Sequence, residues 1–260
     1  MSNSHIAANS HGNPSTPVPT DVAGLLRTIT REPGRPRLTW YGDDGERVEL
    51  SGAVLENWVN KVTNLLVEEF DVGPGTHVAL DLPVHWRTVI WALGAWRTGA
   101  TTILIDTEGT HGADIVNGHG TVKADVVITT TPDAWAGRAD DVVAVALPAL
   151  ARAFDGDLPP GAVDAAAAVM TYGDQIGWVP PVDPSAVAIG SLTEVLHRDL
   201  LRRTTPGRPG RRSLVSAGRP AEEVLREVMG AWKDEGSIVL TTITDPHALA
   251  RLSAAERVTP

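Results

Sequence analysis

The stretch Thr76-His77-Val78-Ala79-Leu80-Asp81-Leu82-Pro83-Val84-His85-Trp86-Arg87-Thr88-Val89-Ile90-Trp91-Ala92-Leu93-Gly94-Ala95-Trp96-Arg97-Thr98-Gly99 changes its period halfway. Up to Leu82 it is a short Val- and Leu-rich run, the pattern of a strand. From Trp86 the apolar residues Trp86, Val89, Ile90 and Leu93 fall at helical spacing, and Thr98-Gly99 has the composition of a helix end. A strand feeding directly into a helix predicts a βα unit, and the neighbouring segments extend that reading in both directions.

Downstream, Thr101 to Ile105, Asp125 to Thr129 and Asp141 to Ala146 are short β-branched runs separated by Gly-, Asp- and Pro-bearing loops. Upstream, Ser51 caps a stretch in which Val54, Leu55, Trp58, Val59, Val62, Leu65 and Leu66 recur at the helical period. Before it, Arg37 to Tyr41 and Arg47 to Leu50 flank Gly42-Asp43-Asp44-Gly45 as a hairpin, and Val22 to Ile29 forms a helix after Asp21. Beyond an Ala-rich segment at Ala162 to Met170, read as a helix, and the prolines of Asp174 to Pro184, the alternation resumes. A strand is expected at Ala186 to Ile189 and a helix from about Leu192 to Leu201. Strands at Ser213 to Ser216 and Ser237 to Thr242 each precede a helix, after Pro220 and after Asp245-Pro246. The pattern predicts an α/β protein with mostly parallel sheets flanked by helices. The expected division is a disordered tail over 1–19, a first α/β lobe over 20–182 and an incomplete second lobe over 183–260.

Composition narrows the function classes. The 260 residues contain no cysteine, which removes disulfides, thiol nucleophiles and thiolate metal sites, and suits a cytoplasmic protein. The apolar runs are far shorter than the roughly 20 residues a membrane helix needs, so no membrane partner is expected. A net charge of -10 opposes polyanions, so no nucleic-acid partner is expected either. One basic segment, Arg202 to Arg212, holds five arginines and could grip a phosphate or an acidic partner. It reads more simply as a solvated Pro/Gly loop.

Four phrases resemble the adenylate-forming superfamily, the AMP-binding and acyl-CoA synthetase-like proteins. Phe70 to Pro83 looks like that family's "GVxPGDRVALLLPN", and Trp91 to Ala100 like its "FLAxLKAGA". Leu196-His197-Arg198-Asp199-Leu200-Leu201 is similar to its "THRNLL", and Gly236 to Thr259 to its "GASVVLVxxFDPExxLxxIxxxRVT". Their collinear order, across roughly residues 22–260, implies the N-terminal part of the adenylate-forming fold. It resembles in particular a short AMP-binding-like family of high-GC, Gram-positive-type bacteria.

In that family a Gly/Ser/Thr-rich loop ending in Pro-Lys, about "SSGTTGxPKG", precedes "THRNLL". Such loops close backbone N–H groups on phosphate oxygens and add a lysine. Here the place reads Asp183 to Val195, with a single glycine, no lysine, and Glu194 beside it. Gly190, Ser191 and Thr193 remain as a degenerate phosphate-loop position that could offer a helix N-terminus to an anion. The family's adenine-contacting and metal-binding motifs and its C-terminal catalytic domain do not follow. The resemblance with these departures implies a pseudoenzyme: a non-catalytic binding or scaffold module with no catalytic residues and no predicted cofactor, residual binding of AMP, ATP or CoA being left open. The alternative is an acyl-CoA ligase-like enzyme half that needs a separate partner chain.

Other constellations are weaker. His111 and His119, with Asp106, Glu108 and Asp114, lack metal-ligand spacing, so no metal site is expected. No Gly-x-Ser-x-Gly elbow marks a hydrolase. Eight tryptophans are many for this length, and the helix of Trp86, Trp91 and Trp96 carries them on both faces. At least one is therefore expected at the surface, marking an unknown protein partner or a homodimer.

Overall fold

The computed structural model describes residues 18–105, 115–117, 120–191, 193–204 and 209–259. In chain order the elements are α1 (Val22–Ile29), β1 (Pro36–Tyr41), β2 (Arg47–Ser51), α2 (Gly52–Phe70), β3 (His77–Asp81), α3 (Trp86–Thr98) and β4 (Thr101–Leu104). There follow β5 (Ile115–Asn117), β6 (Gly120–Val122), β7 (Val126–Thr129), β8 (Asp141–Ala144), β9 (Val163–Asp164) and α4 (Ala165–Ala168). The last group is β10 (Val187–Ile189), β11 (Val195–Leu196), β12 (Arg212–Ser216), α5 (Ala221–Lys233), β13 (Ser237–Thr241) and α6 (Pro246–Ala255). The predicted α/β class is the observed one. The 1–19 tail falls almost wholly outside the described residues.

Two sheets carry the fold. The larger has the order β11-β10-β4-β3-β7-β8-β9 and is parallel except for the β10–β11 pair. The smaller has the order β12-β13-β1-β2 and is parallel except for β1–β2. Strands from beyond residue 183 thus complete both sheets: β10 and β11 extend the larger, and β12 and β13 extend the smaller.

Local chemistry explains the element ends. Asp21 caps α1 by accepting the Gly24 N–H at 2.6 Å, Ser51 caps α2, and Asp245 caps α6, whose Pro246 sits in the first turn. Gly99 closes α3 at φ 86°, a left-handed conformation that costs glycine least. The β10–β11 segment departs from the helix expected over 192–201. There the chain turns back as a hairpin and then makes one 3₁₀ turn, His197–Asp199. The backbone N–H groups of His197 and Arg198 go to the carbonyls of Ala186 and Pro184, so cross-strand bonding wins over helical propensity. The Ala-rich helix contracts to α4 and a following 3₁₀ turn, Val169–Thr171.

A second, smaller cluster around Val127 and Trp135 lies against the larger sheet, while the principal core cluster runs through both sheets, from Leu38 and Ile238 in the smaller to Val78 and Ile128 in the larger. At its centre α3 is buried at every residue except Arg97. This corrects the expectation of an exposed tryptophan on that helix: Trp86, Trp91 and Trp96 are all buried, because α3 is covered by α2 and α1 as well as by the sheet. The exposed tryptophan is Trp178, at 72%. Among the described residues no helix is long and apolar enough to cross a membrane.

Candidate functional site at the carboxyl edge of the larger sheet

β3 passes through α3 to β4 on one side, whereas its neighbour β7 leads to β8 on the other. Connections leaving adjacent parallel strands in opposite directions open a crevice at the carboxyl ends of those strands, where open α/β sheets bind ligands. The last residues of β3 and β7 are Asp81 and Thr129, both fully buried. Asp81 Oδ2 accepts from Thr129 Oγ1 at 2.8 Å, Trp135 Nε1 at 2.7 Å and Thr131 Oγ1 at 3.3 Å. A carboxylate out of water persists only when its lone pairs are met in this way, so the cluster fixes the floor of the crevice. Asp81 was not singled out from the sequence, although an acid ending the apolar run Val78-Ala79-Leu80 was the available signal.

The degenerate phosphate-loop position lies at the same end of the sheet, two strands from β3 and so about 10 Å away. Gly190, Ser191 and Thr193 form the turn between β10 and β11. Gly190 is buried and donates its N–H to Thr102 O at 2.8 Å. Ser191 Oγ donates to Thr193 O at 2.8 Å, and Thr193 is exposed. Because the chain enters β11 and not a helix here, the expected helix N-terminus does not exist and helix-dipole attraction for an anion is lost.

A different group supplies positive charge. Arg203, an exposed residue, donates through its guanidinium to Glu194 O at 3.3 Å. Arg203 belongs to the basic segment that the sequence marked without a location. Elsewhere in that segment Arg212 is structural: it pairs with Glu256 and donates to Thr39 Oγ1 at 2.8 Å, joining α6 to the smaller sheet. Positions 205–208 lie outside the described residues.

A second polar cluster joins the two sheets beside the start of α3. Glu46 accepts from Trp40 Nε1 at 3.0 Å and from the Ala149 N–H at 2.7 Å, and His85 Nε2 lies 3.7 Å from it. His85 caps α3, its Nδ1 accepting the Arg87 N–H at 3.3 Å. Burial, with the nearby Arg87 charge, pushes the His85 imidazole down to about 3, so it is neutral. Arg87 in turn donates to the carbonyls of Leu147 and Pro148 at 3.0 and 2.9 Å and stacks over Trp86. Every polar partner here is internal, which marks a clamp and not a reacting centre.

Of the metal candidates, Asp106, Glu108, His111, Asp114 and His119 lie outside the described residues. Among the described residues, no group of three or more His, Cys, Asp or Glu could hold a metal ion.

Residues 25–185 match the family model described as AMP-binding enzyme. A curated Mycobacterium tuberculosis protein, whose name states a family and no activity, is 33% identical over 254 residues, covering 93% of this chain and 98% of its own length. Among solved structures, an acyl-CoA synthetase of Brucella canis superposes with a TM-score of 0.73 at 22% identity, over 96% of this chain and 48% of that one. A fatty acyl CoA synthetase of M. tuberculosis superposes with a TM-score of 0.65 at 17% identity, over 92% of this chain and 48% of that one. The chain therefore spans the whole of its curated relative but about half the length of these synthetases. The expectation of a non-catalytic scaffold is corrected by these findings. The model matched is that of an enzyme family, and the match spans residues 25–185.

Proposed function

The chain belongs to the AMP-binding enzyme family, and from that premise we propose that it is an acyl-CoA ligase-like enzyme half. It binds AMP or ATP at the carboxyl edge of its larger sheet and works with a separate chain that supplies the remaining catalytic motifs. The reaction class is adenylation. A carboxylate oxygen attacks the α-phosphorus of ATP, the bond to the bridging oxygen breaks, and pyrophosphate leaves.

The observation that carries this reading is Arg203 bonded to the hairpin of Gly190, Ser191 and Thr193. The loop has no lysine, and Arg203 brings a guanidinium to it that can meet phosphate oxygens in bidentate fashion. Thr193, exposed, adds a hydroxyl, while Gly190 and Ser191 shape the turn. The Asp81 cluster at the adjoining switch point supports the same end of the sheet as the nucleotide's place. Catalysis of this kind is largely positioning and charge stabilisation, so the half that grips the nucleotide is separable from the half that completes the site.

Thermal unfolding with AMP, ATP with magnesium, and CoA tests it. A ligand at about 100 times its dissociation constant stabilises by about 2.7 kcal/mol. We expect an upward shift of the midpoint with AMP or ATP, lost in Arg203→Glu and largely kept in Arg203→Lys. The absence of any shift in the unaltered chain would reject the reading.

A further inference from the structure

At the opposite, amino edge of the larger sheet lies a cleft of about 760 Å³ that the nucleotide site does not use. Its walls come from segments far apart in sequence: the entry to α1, the last turn of α3, the strap before β10, the 3₁₀ turn after β11 and the end of α5. The volume is within the range of sites that hold a drug-sized molecule.

The lining is divided in character. Trp96, Val179, Pro180, Pro181, Val182 and Leu200 give an apolar wall, while Arg97, Arg198, Arg202 and Lys233 contribute four cations against the single carboxylate Asp21. In a chain of net charge -10 this is a local reversal of sign. Two of the cations are largely open to solvent: Arg198 and Arg202, with side chains 50% and 75% exposed, lie 3.9 and 3.7 Å from the shared carboxylate Asp199, and Arg198 also feels the charge of Asp183. The apolar character continues at the mouth, where Val18 is 65% and Val182 37% exposed, and Trp178 at 72% directly precedes the lining strap. The segment leading into that strap is tied to α2, where Asn64 bonds the backbone of Gly173, Gln175 and Gly177. His197 also lines the cleft. This residue is 6% exposed, and its Nε2 has no hydrogen-bond partner, a state that native interiors rarely leave unexplained.

We propose that this cleft binds a soluble amphipathic anion, an apolar chain or ring bearing one phosphate or carboxylate head. The apolar body lies along Trp96 and the proline strap, and the head meets Arg198 and Arg202. The proposal is independent of the nucleotide reading, since Arg203 and the β10–β11 hairpin are not among the lining residues.

The probe is dodecyl phosphate below its micelle concentration, followed by calorimetry and by intrinsic tryptophan fluorescence. We expect saturable binding with one site per chain. The double variant Arg198→Glu, Arg202→Glu should weaken it at least tenfold, and so should Val182→Trp, which fills the cleft. All three positions are exposed enough for the fold to survive, and unchanged melting midpoints check this. Inorganic phosphate alone and AMP should not compete. Absence of saturable binding would overturn the proposal, as would binding indifferent to both variants. So would association with anionic lipid vesicles without any binding of the monomeric probe, because the surface would then be reading a membrane.

Discussion

At the scale of single residues, the most informative side chain is His85. Its folded imidazole is held near 3 by burial and by Arg87, whereas an unfolded histidine titrates near about 6.5. Between those values the unfolded chain carries a proton that the folded chain refuses, so stability is full above about pH 6.5 and falls as pH drops toward 3. The slope from this one group approaches about 1.4 kcal/mol per pH unit. His197, also depressed by burial, adds to the same limb. In His85→Asn the amide oxygen can still cap α3, and urea unfolding between pH 4 and 7 should show the slope reduced by about one proton. An unchanged slope would mean that His85 is protonated in the fold. Asp81 and Arg203 show the limits of reading residues one by one. Asp81 gains its meaning from a tryptophan 54 positions away, and Arg203 from a hairpin that was read as a helix.

Among elements, the decisive contact is α2 against α3. It needs Gly94, since a Cβ there would come within 2.6 Å of Val62 Cγ1 and 3.6 Å of the Thr63 nitrogen. Gly94→Leu should force the helices apart and, as overpacking in a close-packed core, cost about 1–3 kcal/mol. Chemical unfolding reads this as a lower midpoint with an unchanged m-value. A neutral result would show that the pair can slide. Elements of this kind were legible: helices α1, α2, α3, α5 and α6, the β1–β2 hairpin and the parallel strands other than β9 follow from caps, turn residues and periodicity, whereas β9 falls in the segment read as a helix. What was not legible depends on partners distant in sequence. The segment 192–201 has helical residues, but its N–H groups find carbonyls at 184 and 186. The three tryptophans of α3 face both ways because the helix is covered on both sides, a fact of layering that no local window contains. The proposed phosphate position was placed by its neighbours in sequence, whereas Arg203, which bonds Glu194 O beside it, lies outside that stretch.

For the whole molecule, the shared core predicts one unfolding event. Trp40 and Trp232 report the smaller sheet, and Trp96 and Trp135 the larger, while the principal buried cluster passes between the two. Fluorescence and far-UV circular dichroism should therefore give coincident denaturant curves. Two separated transitions would instead favour lobes of independent stability on either side of residue 183. The pairing of β1 with β13 reaches further than equilibrium. Thr241 Oγ1 bonds Tyr41 O across 200 residues of chain. At translation rates of about 5–20 residues per second, β1 waits roughly 10–40 s for its inner neighbour to leave the ribosome. Throughout that interval the early hairpin displays an unpaired strand edge, which makes this protein a natural client for whatever shields nascent chains from one another.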